Sequence, residues 1–104
     1  MEGRVKIYIS GPISGTDDYR ERFSKAEAIL KNKGHIPVNP IYMDAYQEAL
    51  TYDEIMYFDL DLLSKCDAIV MLKGWRNSMG ANREWGYAYA QDLMIFEEGL
   101  LNEL

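Results

Sequence analysis

The sequence predicts an α/β fold, a three-layer sandwich around a parallel, flavodoxin- or Rossmann-like sheet of four to five strands. Three observations predict it. Short segments rich in β-branched and aromatic residues alternate with stretches of helical periodicity. Asp67-Ala68-Ile69-Val70-Met71-Leu72 is a near-continuous apolar run, as expected of a parallel strand buried on both faces. Finally, 104 residues without a repeat, linker or low-complexity segment suit one domain, residues 1–104. Strands alternating with helices imply right-handed βαβ crossovers and a sheet covered on both sides.

The elements follow in order. Val5 to Ile9 forms the first, central strand and stops at Ser10-Gly11-Pro12. Between Asp17 and Lys33 the residues Tyr19, Phe23, Ala26, Ile29 and Leu30 recur at three and four, the spacing of an amphipathic helix. Asp17 or Asp18 is its expected cap and Gly34 its stop. His35 to Val38 makes a short second strand closed by Asn39-Pro40, a turn signal. The polar segment from Ile41 to Thr51 fits either a short helix or a lid. A helix from Tyr52 to Lys65 follows, with Ile55, Phe58, Leu62 and Leu63 as its apolar face. After the strand at Asp67–Leu72 come a loop at Gly74–Asn77, a helix from Met79 to Gln91, a strand at Leu93–Phe96 and a short terminal helix. Ligands of such sheets lie beyond the carboxyl ends of the strands. Ser10–Thr16, the chain from Asn39 onward and Lys73–Gly80 are therefore expected to meet there.

Composition narrows the function classes. Hydrophobic residues make up 48% and charged residues 27%, the balance of an ordinary soluble domain. The longest apolar stretches are too short to cross a bilayer, and Met1-Glu2-Gly3-Arg4-Val5 shows no signal-peptide pattern. The single cysteine, Cys66, has no internal disulfide partner. Cytoplasmic location and no membrane partner are the expectations. A formal charge of −6 argues against a nucleic-acid polymer as partner. It leaves room for a small anion held by backbone N–H groups. One histidine and one cysteine form no metal-site pattern, so neither metal nor cofactor is expected. His35 is assigned a structural or exposed role rather than a catalytic one.

Three features break the structural pattern. Asp59 falls on the apolar face of its helix, four residues after Ile55 and three before Leu62. Either its oxygens bond to a neighbouring loop at the edge of the core, or it is a site carboxyl with a raised pKa. Ser78-Met79-Gly80-Ala81-Asn82-Arg83-Glu84 opens a helix whose N-terminal N–H groups favour an anion. Ser78 as an N-cap and Glu84 in an early turn are also ordinary helix chemistry. Tyr8-Ile9-Ser10-Gly11-Pro12-Ile13-Ser14-Gly15 leaves a central strand with two glycines and two serines, which suits a polar ligand. It lacks both the dinucleotide G-x-G-x-x-G spacing and a Walker A lysine. Trp75 flanks the site loop, where packing and stacking on a base are both open.

Taken together, Tyr8-Ile9-Ser10-Gly11-Pro12, Val38-Asn39-Pro40, Asp59-Leu60 with Cys66-Asp67, and Ser78-x-Gly80-x-x-x-Glu84 resemble the nucleoside 2-deoxyribosyltransferase superfamily, above all its DUF4406 branch. The resemblance spans Tyr8 to about Phe96. It implies a nucleoside or nucleotide substrate, and transfer or hydrolysis at an N-glycosidic bond. By position, Glu84 is implied as the nucleophile, Tyr8 as the group that orients it, and Asp59 as the residue that helps the base leave. Gly11, Ile13, Ser14, Asn39, Ser78 and Gly80 are implied to bind substrate. The resemblance also implies a homodimer or higher homo-oligomer. On physical grounds, a helix N-terminus is expected to keep Glu84 ionised while the semi-buried Asp59 holds a proton. Related monophosphate hydrolases tend to carry an arginine where this chain has Ser14, which leaves Arg76 or Arg83 as substitutes. A binding module of the same fold without chemistry is the alternative.

Overall fold

The computed structural model describes residues 3–104, so the Met1–Glu2 part of the N-terminal expectation lies outside the described residues. Four strands, β1 (Lys6–Ser10), β2 (Ile36–Val38), β3 (Ala68–Met71) and β4 (Met94–Glu97), form one all-parallel sheet in the order β2-β1-β3-β4. Three helices, α1 (Tyr19–Asn32), α2 (Tyr52–Ser64) and α3 (Met79–Ala90), alternate with them. Short 3-10 segments occupy Pro40–Tyr46, Trp75–Asn77 and Glu98–Glu103. The segment expected as a short helix or a lid is thus 3-10 over most of its length.

The alternation of β1 divides the interior in two. Ile7 and Ile9 pack with Phe23, Ala26 and Leu30 of α1 and with Leu101 of the terminal 3-10 segment. Tyr8 points the other way, toward Leu63 of α2 and Ala81 and Ala88 of α3. Both faces of the sheet are covered, which is why β3 is buried at every residue and apolar without alternation. The chain runs from β1 outward to β2 and then crosses back to β3 on the other side of β1. That reversal makes the β1/β3 carboxyl ends the topological switch point of the sheet.

Two local expectations are corrected. Asp18 stands at the N-cap of α1, but its side chain makes no capping bond. Its backbone (φ −111°, ψ 13°) is not the extended conformation that turns a cap oxygen back on the first turn. Phe58 was expected on the buried face of α2 and is 50% exposed. The buried stripe is Met56, Asp59 and Leu63 instead. On this face Tyr52 and Met56 lie over Gly80 of α3, whose missing side chain leaves them room. Thr51 and Glu54 begin α2 with a reciprocal capping box. No helix among the described residues is long and apolar enough to cross a membrane.

Candidate active site

α2 and α3 each carry one carboxyl in the middle of a buried stripe of identical spacing. On α3 the stripe is Ala81, Glu84 and Ala88; on α2 it is Met56, Asp59 and Leu63. Glu84 is 5% exposed and Asp59 8%. Carboxyls placed so deep need hydrogen-bond partners or protons. Glu84 has partners. Tyr8 and Ser10, two apart on β1, project to the same face of the sheet. The Tyr8 hydroxyl donates to Glu84 Oε2, and Ser10 Oγ donates to Oε1 at 2.7 Å. Asp59 lacks them: its Oδ1 is buried without a hydrogen-bond partner.

The electrostatics differ from the expectation for Glu84. Burial pushes its carboxyl up to about 7, against the opposing pull of the bonds from Tyr8 and Ser10, with the charge of Asp59 adding to the rise. Burial, helped by the charge of Asp44, likewise pushes Asp59 up to about 7. Glu84 lies in the second turn of α3, beyond the first turn where a helix terminus acts strongly. Desolvation therefore outweighs the helix end, and both acids are raised rather than pushed apart. Burial, and then the neighbouring Glu84, hold the Tyr8 phenol well above its ordinary value, so it stays a hydrogen-bond donor.

A cleft of about 780 Å³ opens over these groups. Gly11, Ile13, Ser14, Asp59, Ser78, Gly80 and Glu84 all line it. Tyr8 lies beneath, reaching the cleft through Glu84. Asn39 is not among the lining residues. Its Oδ1 accepts the Ile41 N–H at 3.2 Å and caps the Pro40–Tyr46 segment. Ser78 Oγ caps α3 by accepting from the Ala81 N–H at 3.2 Å. A side chain on Gly11 would stand 2.8 Å from Leu72 Cβ, so this glycine serves the packing of the β1 and β3 exits.

Several residues of the site were not anticipated. Ser10, expected only as part of a segment suited to a polar ligand, was not assigned to Glu84, although its place two residues after Tyr8 on a buried strand was a usable signal. Asp44, Gln47 and Leu50 line the cleft from the irregular segment, where no periodicity exists to place a side chain. Asp44 accepts a hydrogen bond from the Tyr19 hydroxyl at 2.7 Å and pairs with Arg20 at 3.3 Å.

Neither proposed arginine substitute lines this cleft, and Arg83 lies over the ring of Tyr52, which does, at 5.6 Å. Arg76 stacks over Trp75 at 4.6 Å, pairs with Glu97 at 3.4 Å and lines a second cleft of about 640 Å³ with Arg22, Lys73 and Glu98. Arg83 pairs with Asp53 at 3.8 Å. No Lys or Arg lines the cleft over Glu84 among the described residues. Trp75 stacks on Trp85, with centroids 5.9 Å apart, and donates to Glu97 at 3.0 Å, so packing accounts for it. His35 is buried; its Nδ1 accepts the Val5 N–H at 3.2 Å, and its Nε2 lies 2.9 Å from the Leu104 carbonyl. No group of three or more His, Cys, Asp and Glu side chains placed to hold a metal occurs among the described residues.

Comparison with known proteins identifies the family and the fold. The model of the domain of unknown function DUF4406 matches residues 5–97. The chain belongs to the DUF4406 family. Its fold is shared with solved 2-deoxyribosyltransferases. One structure, described as a 2-desoxiribosyltransferase from Leishmania mexicana, is 26% identical with a TM-score of 0.69, over 89% of this chain and 63% of that one. A 2-deoxyribosyltransferase from Bacillus psychrosaccharolyticus is 21% identical with a TM-score of 0.66, over 88% of this chain and 72% of that one; it bears on the fold alone. This DUF4406 chain thus spans less than two thirds of the Leishmania protein's length. No curated protein matches it in sequence.

Proposed function

We propose that the protein cleaves or transfers the N-glycosidic bond of a nucleoside or its 5′-monophosphate through a covalent glycosyl ester on Glu84. One observation carries the reading: a carboxyl held by two hydroxyls and a buried carboxyl with a free oxygen open onto the same cleft. The fold shared with 2-deoxyribosyltransferases supports the substrate class.

In this mechanism an oxygen of ionised Glu84 bonds to C1′ as the C1′–N bond breaks. The bonding pair leaves with the base, which takes a proton from Asp59. A carboxylate under C1′ stabilises the oxocarbenium-like transition state and then traps it, as in retaining glycosidases. In the second half, water or another base attacks C1′, gives its proton to Asp59 and frees Glu84. The work of Asp59 as general acid is worth ~10²–10⁴-fold. Exposed Tyr42, Tyr46, Tyr57 and Tyr89 leave aromatic surface available to a homo-oligomer.

The test is chromatographic detection of free base from each common 2′-deoxynucleoside and its 5′-monophosphate, with and without an acceptor base. Glu84→Ala is expected to abolish release, and Lys25→Ala, on the exposed side of α1, to leave it intact. Equal loss in both variants removes the assignment. Intact protein that releases no base, yet melts higher with a nucleotide, supports the binding-module reading instead.

A further inference from the structure

We infer that Ser10 is a positioning residue, the second half of a two-hydroxyl clamp that β1 places on the Glu84 carboxylate. A serine at this place has no packing rationale. It is 1% exposed in the central strand, registered against Met71 of β3, where an aliphatic side chain is the usual occupant. A buried hydroxyl there needs a partner, and the partner is Glu84 Oε1 at 2.7 Å. Tyr8 takes the other oxygen. The Ser10 carbonyl in turn accepts the Leu72 N–H at 2.7 Å, which fixes the strand beneath the hydroxyl.

The division between two donors has a chemical consequence. A carboxylate held at one oxygen can rotate about its last bond; held at both, it cannot. When one oxygen bonds to C1′, the other becomes the ester carbonyl oxygen, and either one keeps a hydroxyl donor. The ester is thus held through both halves of the reaction. The Ser10 bond also favours the ionised form of Glu84, opposing burial. The other titratable groups acting on Glu84 are Tyr8 from β1 and Asp59 from α2, with Asp44 acting on Asp59 from the 3-10 segment.

The catalytic part of this inference rests on Glu84 being the nucleophile, whereas its effect on the titration of Glu84 does not. Ser10→Ala and Ser10→Thr are compared with the parent by two readouts. The first is the titration of the Glu84 carboxyl, followed by NMR with ¹³C-labelled glutamate and assigned with Glu84→Gln. The second is the pH profile of base release. In Ser10→Ala the Glu84 titration is expected to move up by about one pH unit, the value of one lost hydrogen bond to a charged group. The acid limb of kcat/KM moves with it, kcat falls ~10-fold below the limb, and KM changes little. Ser10→Thr, which keeps the hydroxyl, returns both toward the parent values. Should the threonine variant fail to fold, the alanine result alone decides. An unmoved titration in folded Ser10→Ala overturns the clamp. A moved titration in a protein that releases no base upholds the clamp and removes its catalytic use.

Discussion

At the scale of single residues, the proposed chemistry rests on Glu84 and Asp59. Both carboxyls are raised to about 7, chiefly by burial, and they act on the same cleft. The productive pair is ionised Glu84 beside protonated Asp59. Acid protonates the nucleophile and alkali strips the general acid, so kcat/KM is expected to form a bell centred near pH 7, with limbs that belong to the pair. Asp59→Asn removes the alkaline limb and lowers the plateau ~10²–10⁴-fold. The acid limb stays nearly in place, because Asp59 is already protonated, and so uncharged, where that limb falls. A profile flat across this range contradicts the assignment. Asp59 was legible in the sequence because an acidic residue on an apolar stripe is an anomaly of spacing. The raised pKa of Glu84 was not. It depends on how completely Glu84 is buried between Ala81 and Ala88 on the inner face of α3, a depth that spacing along the chain does not give.

Elements place these residues, and here the sequence was most informative. The four strands and three helices follow from periodicity, glycine stops and one apolar run, with ends that shift by a residue or two. The rotation of α2 was less legible. Phe58 and Met56 are both apolar, and it is tertiary packing, Met56 against Gly80 and Leu63 in the core, that goes with Met56 facing inward. Gly80→Ala tests that contact. Its added carbon would stand 3.0 Å from the Met56 methyl and 3.2 Å from the Tyr52 hydroxyl, both ends of flexible side chains lining the cleft. The expected result is a small loss of stability with a several-fold rise in KM, seen by steady-state kinetics beside a thermal melt. Ser78→Ala removes the α3 cap and is expected to cost about 1 kcal/mol in denaturant unfolding. The Pro40–Tyr46 segment, which supplies Asp44, stayed illegible because a 3-10 stretch shows no amphipathic repeat.

For the whole molecule, the site is a burden on stability. The folded pKa values of Glu84 and Asp59 stand above their ordinary values of 4.5 and 3.8. The folded state therefore binds more protons than the unfolded one between roughly pH 4 and 7, and stability declines as pH rises through that window. Glu84→Gln removes one of the two contributions. The variant is expected to melt higher than the parent at about pH 8 and to converge with it near pH 4, by calorimetry at matched salt. A parent that gains stability between these limits through the same two groups would contradict their raised values.

The ester on Glu84 is the central claim, and peptide mass mapping after a trapping reaction tests it most directly. A 2′-fluoro-2′-deoxyarabinosyl nucleoside slows release of the sugar from a carboxylate by withdrawing electrons from C1′. The account predicts base release with a fluorosugar adduct on the peptide that holds Glu84, absent in Glu84→Gln. Base release with no adduct, or with the adduct on another residue, would contradict it.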